Sequence, residues 1–442
     1  MRQTAYKKAQ GIVCAAGLIL LALLFVLWLG RNRTIGALPQ AAALLCALLF
    51  AAVCLRFVPG WFSFWFDERP EKKSEPGTIP LPLLFAFGVL WALFNLAAVW
   101  AVLHYVNHSL SWDEYRSFWT SADAYHYLCI ARDWYLSEGI VDRVVQLVFL
   151  PGYPLAVRLC YVFLGDYILS GLLVSSLSFA GALCVFYRLL LLDHPEATAR
   201  LALVFLCLMP GSFFFFAPMS EGLFLLLCLS CLYSARKRRW LLAALFGALA
   251  SFTRSLGLML FVPLFFEIVE ALLHGEKKAW RGLAALLGVP AGFAAYCLVN
   301  YTVSGNAFQF LVYQREHWNQ QLGLFFNTAA YQTRYALRAE KDMLLGLWLP
   351  NLAALFGALG ILLGAAKRLR PSYTAWALAY YVIAVGATWL LSAPRYMAAL
   401  PPLPIALTLC GEKKAARVVL LVLLALANLG YLILFALRRN VW

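Results

Sequence analysis

The chain has 442 residues, of which 63% are apolar and only 13% charged, and its formal net charge is +15. A soluble protein of this length needs far more polar surface to cover itself, so the composition excludes a water-soluble globular enzyme. In a soluble protein the excess of Lys and Arg would suggest nucleic acid. Here the basic residues fall in short clusters between apolar runs, the pattern that orients membrane helices, and no nucleic-acid partner is expected.

In chain order, apolar runs of about 18 to 25 residues match the thickness of a bilayer core. Arg2, Lys7 and Lys8 precede the first run, 11–30. That run is longer than the apolar part of a secretory signal and is expected to remain as a helix. Further spans are expected at 37–57, 81–106, 167–192, 199–217, 219–235, 240–253, 256–273, 281–302, 345–366, 373–391, 396–410 and 416–437, about thirteen in all. With the N-terminus inside, the inward loops carry Arg69/Lys72/Lys73, Arg236/Lys237/Arg238/Arg239, Lys277/Lys278/Arg281, Lys367/Arg368/Arg370 and Lys413/Lys414/Arg417, and so many agreeing loops set the orientation. Two long segments, 107–166 and 303–344, then lie outside. Both are too aromatic to be disordered, and loops of that length are otherwise functional. The eleven cysteines fall mostly inside apolar runs and are expected to be packing residues.

In the first outer loop, Ser121 suits an N-cap. Asp123, His126, Tyr127, Ile130 and Trp134 follow at helical spacing, which predicts an amphipathic helix lying in the interface plane. Six polar features share this outer side: Ser121–Tyr127, Phe149–Pro154, Pro218–Glu221, Thr253–Arg254, Gln314–Trp318 and Ser392–Tyr396. Their convergence suggests a site at the membrane surface. Asp123 has two readings, a base toward a substrate hydroxyl or an acid complementing the helix dipole. Arg254 and Arg395, at the outer ends of apolar helices, either clamp a phosphate through bidentate hydrogen bonds or snorkel to water. Glu221 either stabilises a helix N-terminus or orients a substrate hydroxyl. His126 and His317 are candidates for ordering substrate or Asp123. Neither has a second ligand at i+4, so no metal is expected. Pro151 and Pro154 stiffen the exit of the loop, and Arg132 falls off the Asp123 face and is expected to be solvated.

Together these segments resemble the PIG-V family, mannosyltransferases of the polytopic GT-C glycosyltransferase superfamily. The acidic segment that runs into Ile-Ala is matched by Asp123-Ala-Tyr-His-Tyr-Leu-Cys-Ile-Ala131, with Trp134-Tyr135 after it. Phe149-Leu-Pro-Gly-Tyr-Pro-Leu155 matches the next segment. Ser220-Glu221, Thr253-Arg254, Gln314 with Trp318, and Arg395-Tyr396 follow in the family's order. The chain departs from the pattern at Ala122, where the family has Trp; Trp119 lies upstream instead.

The resemblance implies an all-α, GT-C-type polytopic membrane protein. Residues 81–437 would be its catalytic transmembrane domain, 1–60 an additional N-terminal transmembrane hairpin and 61–80 a cytoplasmic linker. It implies transfer of a sugar, mannose foremost, from a polyprenyl-phosphate donor (dolichyl-phosphate mannose in eukaryotes) to a hydroxyl of a glycolipid or polymer acceptor. Transfer would proceed with inversion on the non-cytoplasmic face, without cofactor or metal. Asp123 would be the base, and Arg254 and Arg395 the clamp on the donor phosphate. His126, Tyr127, Tyr153, Glu221, Gln314, His317, Trp318 and Tyr396 would contact substrate. A phosphate leaves readily, so one base suffices where hydrolytic glycosidases use two carboxylates. A GT-C enzyme for another lipid-linked sugar is the nearest alternative. A secondary transporter would instead place polar groups near the bilayer midplane. The short inward loops favour a bacterial cell membrane; a eukaryotic chain would sit in the endoplasmic reticulum membrane.

Overall fold

The computed structural model describes residues 2–67, 77–135 and 145–441. Two long helices, α1 (Arg2–Arg31) and α2 (Ala37–Phe66), form an N-terminal hairpin, and α3 (Leu81–Val106) follows. Three helices then occupy the first long polar segment: α4 (Trp112–Phe118), α5 (Asp123–Asp133) and α6 (Gly152–Leu164). The central bundle comprises α7 (Tyr167–Leu190), α8 (Glu196–Leu208), α9 (Glu221–Arg236), α10 (Trp240–Thr253), α11 (Phe261–Leu273) and α12 (Gly282–Ser304). The second polar segment forms α13 (Gln309–Trp318) and α14 (Phe325–Ala336). The chain ends with α15 (Leu349–Ala365), α16 (Pro371–Val385), α17 (Ala393–Ala398), α18 (Pro402–Cys410) and α19 (Lys414–Ala436). Among the described residues the only β pairing is an isolated antiparallel bridge between Leu322 and Ala387.

Among the described residues, eight helical segments are long and apolar enough to cross a membrane: Tyr6–Arg31, Ala37–Phe66, Leu81–Val106, Tyr167–Leu190, Ser255–Leu273, Ala279–Ser304, Lys341–Ala365 and Lys414–Ala436. The protein is all-α and multi-pass. Five other expected spans, 199–217, 219–235, 240–253, 373–391 and 396–410, are helical over only 9 to 16 residues. At a rise of about 1.5 Å per residue, even the longest falls short of a bilayer core of about 30 Å. Some of them are interior helices: α9 is buried on nearly every face, from Phe224 and Leu225 through Leu232 to Ala235. Its Cys228 and Cys231, one turn apart, are both buried free thiols, and Cys231 bonds the Ala243 carbonyl at 3.3 Å.

Two boundaries differ from expectation. The second helix continues past residue 57 to Phe66 and ends at Asp67, whose carboxylate accepts from Ser63 Oγ at 2.6 Å. The rest of the charged linker, with Arg69, Lys72 and Lys73, lies outside the described residues. The second outer segment is not a surface loop throughout. Its helix α14 buries Phe325, Phe326, Ala329 and Ala330 against the N-terminal hairpin. Phe25 and Phe50 meet Phe326 and Phe325 at ring separations of 5.5 and 4.6 Å. Trp28 Nε1 donates to Asn327 Oδ1 at 2.8 Å.

The C-terminal end of α9 enters a charged cluster that apolar periodicity does not reveal. Glu267 and Glu270 of α11 are fully buried there. Arg370 grips Glu267 in a fork, with contacts of 2.6 and 2.8 Å, and Ser372 Oγ adds a third bond at 2.6 Å. Arg236 pairs with Asp193 at 2.7 Å, and Arg238 reaches Glu270 at 3.1 Å and Glu276 at 2.7 Å. Three of the arginines that orient the chain are therefore also internal ion-pair partners. Buried charges of this kind are stabilising only while paired. Glu267→Ala is expected to cost about 3–5 kcal/mol and to lower the melting temperature in detergent. Replacing Arg370 by Met in the same chain is expected to recover much of the loss. An unchanged melting temperature in the single variant would show that the cluster does not hold the bundle.

Candidate active site

The site is built from segments far apart in sequence. The first is α5. Ser121 does not cap it; its hydroxyl donates to the Phe118 carbonyl at 2.7 Å. The helix starts after Ala122, which adopts φ 53° and ψ −138°, and it stops at Trp134 with φ 60° and ψ −158°. Positive φ at a residue with a Cβ costs on the order of 1–3 kcal/mol. The cost at both ends is borne because α5 buries Tyr127, Leu128, Ile130 and Ala131 in the bundle. Arg132 sits on the outer side in an ion pair with its neighbour Asp133 at 2.9 Å.

The second segment is the Pro151–Pro154 turn that opens α6. A methyl group on Gly152 would lie 2.9 Å from the Thr253 Cα. Only glycine lets this turn press against the Thr253–Arg254 corner. Tyr153 points away from the site, with its hydroxyl on the Gly171 carbonyl and Ser175 Oγ, both at 2.9 Å. Phe149 faces the other way and stacks on His126 at 4.7 Å between ring centroids.

The third segment is the irregular stretch 386–392. The expected span 373–391 breaks at Val385, and the backbone that follows is held by side chains. Thr328 Oγ1 donates to the Val385 carbonyl at 2.6 Å, Gln332 Nε2 to Leu390 O at 2.9 Å and Gln320 Nε2 to Trp389 O at 2.8 Å. Tyr331 Oη accepts from Leu390 N at 2.6 Å, and Asn351 Oδ1 from Ala393 N at 2.8 Å. Non-helical backbone in a membrane protein survives where protein satisfies its polar groups or where it lines a cavity, and this stretch meets both conditions. It delivers Arg395 on the short α17.

The fourth segment is the start of α9. Glu221 is fully buried. Arg254 Nη1 pairs with Glu221 Oε1 in a short contact and with Ser220 Oγ at 2.9 Å. The same Glu221 oxygen lies 2.6 Å from Arg395 Nε, and Arg395 Nη2 bonds Asp123 Oδ2 at 2.5 Å. Asp123, Arg395, Glu221 and Arg254 thus form a line of alternating charge. Tyr127 and Ser220 hydroxyls, 2.9 Å apart, continue it. Arg254 also stacks over Tyr396 at 5.4 Å, and Arg395 over Phe214 at 5.4 Å. Both guanidiniums turn into the protein, which excludes snorkelling.

Asp123 is the member of the line that remains accessible, at 32% of its side chain. Burial alone would raise its pKa, but the adjacent Arg395 charge and hydrogen bond outweigh that and hold the carboxyl below its ordinary range. Burial likewise lowers the pKa of His126, with Asp123 only partly opposing, so the imidazole favours its neutral form.

A cavity of about 820 Å³ opens above this line. Of the residues expected at a site, Asp123, His126, Tyr127, Arg254, Gln314, Trp318, Arg395 and Tyr396 line it. Three do not. Glu221 lies beneath the floor, between the arginines. Tyr153 is buried behind Tyr127, and His317 is on the exposed side of α13 against Tyr313 and Trp318. Leu256, Leu311, Val312, Leu322, Ile383 and Leu390 add apolar surface to the lining. Arg315 and Ser392 also line it; both fall within features singled out from sequence, which give them no role of their own, and Gln320 and Gln321 line it without any such expectation. Gln320 and Gln321 follow a motif already singled out, and proximity to it was their only signal. Among the described residues no group of three or more His, Cys, Asp or Glu side chains is placed to hold a metal ion.

No protein family's sequence profile and no curated protein matches this chain. One solved structure similar to it is the archaeal oligosaccharyltransferase AglB from Archaeoglobus fulgidus, in complex with an inhibitory peptide and a dolichol-phosphate. The likeness covers 79% of this chain and 56% of that one, at 14% sequence identity and a TM-score of 0.38, too low for shared activity to follow.

The charge line predicts unequal stability effects. Arg395→Ala strands Asp123 and removes one of Glu221's two partners, and is expected to cost about 3–5 kcal/mol. Asp123→Asn, at the partly exposed end, is expected to cost about 1 kcal/mol or less. Thermal unfolding in detergent measures both, and equal effects would show that Arg395 is not held by this network.

Proposed function

We propose that this chain is a membrane glycosyltransferase. It moves a sugar, mannose foremost, from a polyprenyl-phosphate donor to an acceptor hydroxyl with inversion on the non-cytoplasmic face. The observation that carries the reading is the cavity whose lining combines one accessible carboxylate and two buried guanidiniums with several apolar side chains. Such a lining suits a ligand that is anionic at one end and hydrocarbon at the other. The motif order shared with the PIG-V family supports the same reading and adds the GT-C architecture and the sugar. On this reading 81–437 is the catalytic domain, preceded by an added hairpin that runs to Phe66 rather than to residue 60 and by a linker on the inner face. The acceptor is a glycolipid or polymer, and a bacterial cell membrane is the favoured location.

The chemistry follows from the residues. The acceptor oxygen attacks the anomeric carbon from the face opposite the phosphate. The bond from that carbon to the phosphate oxygen breaks, and its electron pair stays on the phosphate. The acceptor's proton passes to Asp123. Arg395 occupies Oδ2, which leaves Oδ1 to accept the proton. A carboxylate held ionised is a weak base, but the hydroxyl becomes strongly acidic only as the new bond forms, so proton transfer late in the step suits it. Arg254 and Arg395 would stabilise the charge that develops on the departing phosphate. His126, Tyr127, Gln314, Trp318 and Tyr396 would contact the sugar and acceptor.

The test is transfer of radiolabelled mannose from polyprenyl-phosphate mannose to a membrane lipid extract in detergent, wild type beside Asp123→Asn. Transfer by wild type and a loss of about 100-fold or more in the variant are expected. Because the carboxyl pKa is lowered, wild-type transfer should hold level as the pH falls from 7 to about 5 and decline only below the usual aspartate value of about 3.9. Equal turnover by the variant would remove Asp123 as the base, and transfer from a different lipid-linked sugar would reassign the donor.

A further inference from the structure

The charge line is balanced within itself: the guanidiniums of Arg254 and Arg395 stand against the carboxylates of Glu221 and Asp123. A site that admits an anion while keeping Asp123 ionised needs one more positive charge. Among the described residues, the cavity lining contains one arginine besides Arg254 and Arg395, namely Arg315, with no lysine and with Asp123 as the one acid. Arg315 is exposed and, among the described residues, forms no ion pair.

Arg315 is also well placed rather than loosely displayed. Its helix α13 is anchored at the start, where Phe310 is buried against Phe293 and Tyr296 and its N–H donates to Asn300 Oδ1 at 3.1 Å. At the other end Asn319 takes a left-handed conformation with φ 51°, and its carbonyl accepts from Thr388 Oγ1 at 2.9 Å. The helix is therefore tied to the same 386–392 stretch that carries Arg395. A solvated surface arginine needs neither anchor nor a place in the lining.

We propose that Arg315 is a donor-binding residue, supplying the cavity's unbalanced positive charge to the phosphate of a lipid-linked sugar. The assignment rests on the glycosyltransferase reading and names a contact that reading does not require. The donor is a phosphodiester with a single negative charge, and one free guanidinium balances it. Arg254 and Arg395, already shared with carboxylates, serve the added charge that appears as the phosphate departs.

The experiment titrates the full chain in detergent with farnesyl phosphate, using farnesol as an uncharged control with the same tail. Wild type, Arg315→Gln and Arg315→Lys are compared. Arg315→Gln is expected to weaken farnesyl phosphate binding about tenfold, to leave farnesol binding unchanged and to be restored by Arg315→Lys. Equal binding of farnesyl phosphate by wild type and Arg315→Gln overturns the assignment and leaves the transferase reading intact. A matching loss for farnesol overturns it too, since packing rather than charge would then be responsible. Failure of wild type to bind farnesyl phosphate overturns both.

Discussion

The site depends on one buried carboxylate. Glu221 contacts Arg254 and Arg395 through the same oxygen, and without it two guanidiniums would share a low-dielectric interior with only Asp123 to balance them. Burial of this kind is tolerable when every charge has an opposite neighbour and costly when one is missing. The arrangement therefore tends to hold together as a unit. It fixes the relative positions of α5, the start of α9, the corner after α10 and the short α17, four pieces separated by up to 272 residues. Helix α9 also carries Arg236 at its far end, inside the second charged cluster. An acid at its N-terminus and a base at its C-terminus complement its dipole, so one interior helix links the two polar ends of the bundle.

Around that carboxylate the scaffold trades regular structure for placement. The chain leaves helical geometry at 386–392 and is held there by Thr328, Tyr331, Gln332 and Asn351. Three of these lie on α14, which in turn packs on the N-terminal hairpin through Phe325, Phe326 and Asn327. The hairpin thus backs the helix that supports the stretch carrying Arg395. Strain is accepted in the same place: the positive φ of Ala122 and Trp134 brackets the helix that presents Asp123.

Much of this was legible in the sequence, and the rest was hidden for physical reasons. The eight long helices follow from uniform apolar runs at bilayer length, which need no tertiary context to be read. The five short ones carry the same hydropathy, because a residue facing protein and a residue facing lipid are equally apolar. The interior placement of α9 was therefore invisible, while α10, which exposes Leu241 and Leu245, reads no differently in sequence. Convergence of Asp123, Arg254 and Arg395 was readable from the pattern of basic loops alone, which puts all three on one expected side. Who pairs with whom was not: Glu221 looked like a helix-start acid, and its contacts come from residues 33 and 174 positions away. Glu267 and Glu270 sat unnoticed within an apolar span because their partners lie in other helices. Helix α14, polar and aromatic in sequence, reads as loop because its hydroxyls and amides serve the 386–392 backbone rather than solvent.

The most direct test of the central claim is a cryo-electron microscopy structure of the full chain with a polyprenyl phosphate bound. The account predicts phosphate density in the cavity within hydrogen-bond distance of Arg254 or Arg395, with the tail along Leu256, Leu311 and Ile383 and with Asp123 Oδ1 facing the open volume. Phosphate density elsewhere on the protein, with the Asp123–Arg395–Glu221–Arg254 line undisturbed and the cavity empty, would contradict it.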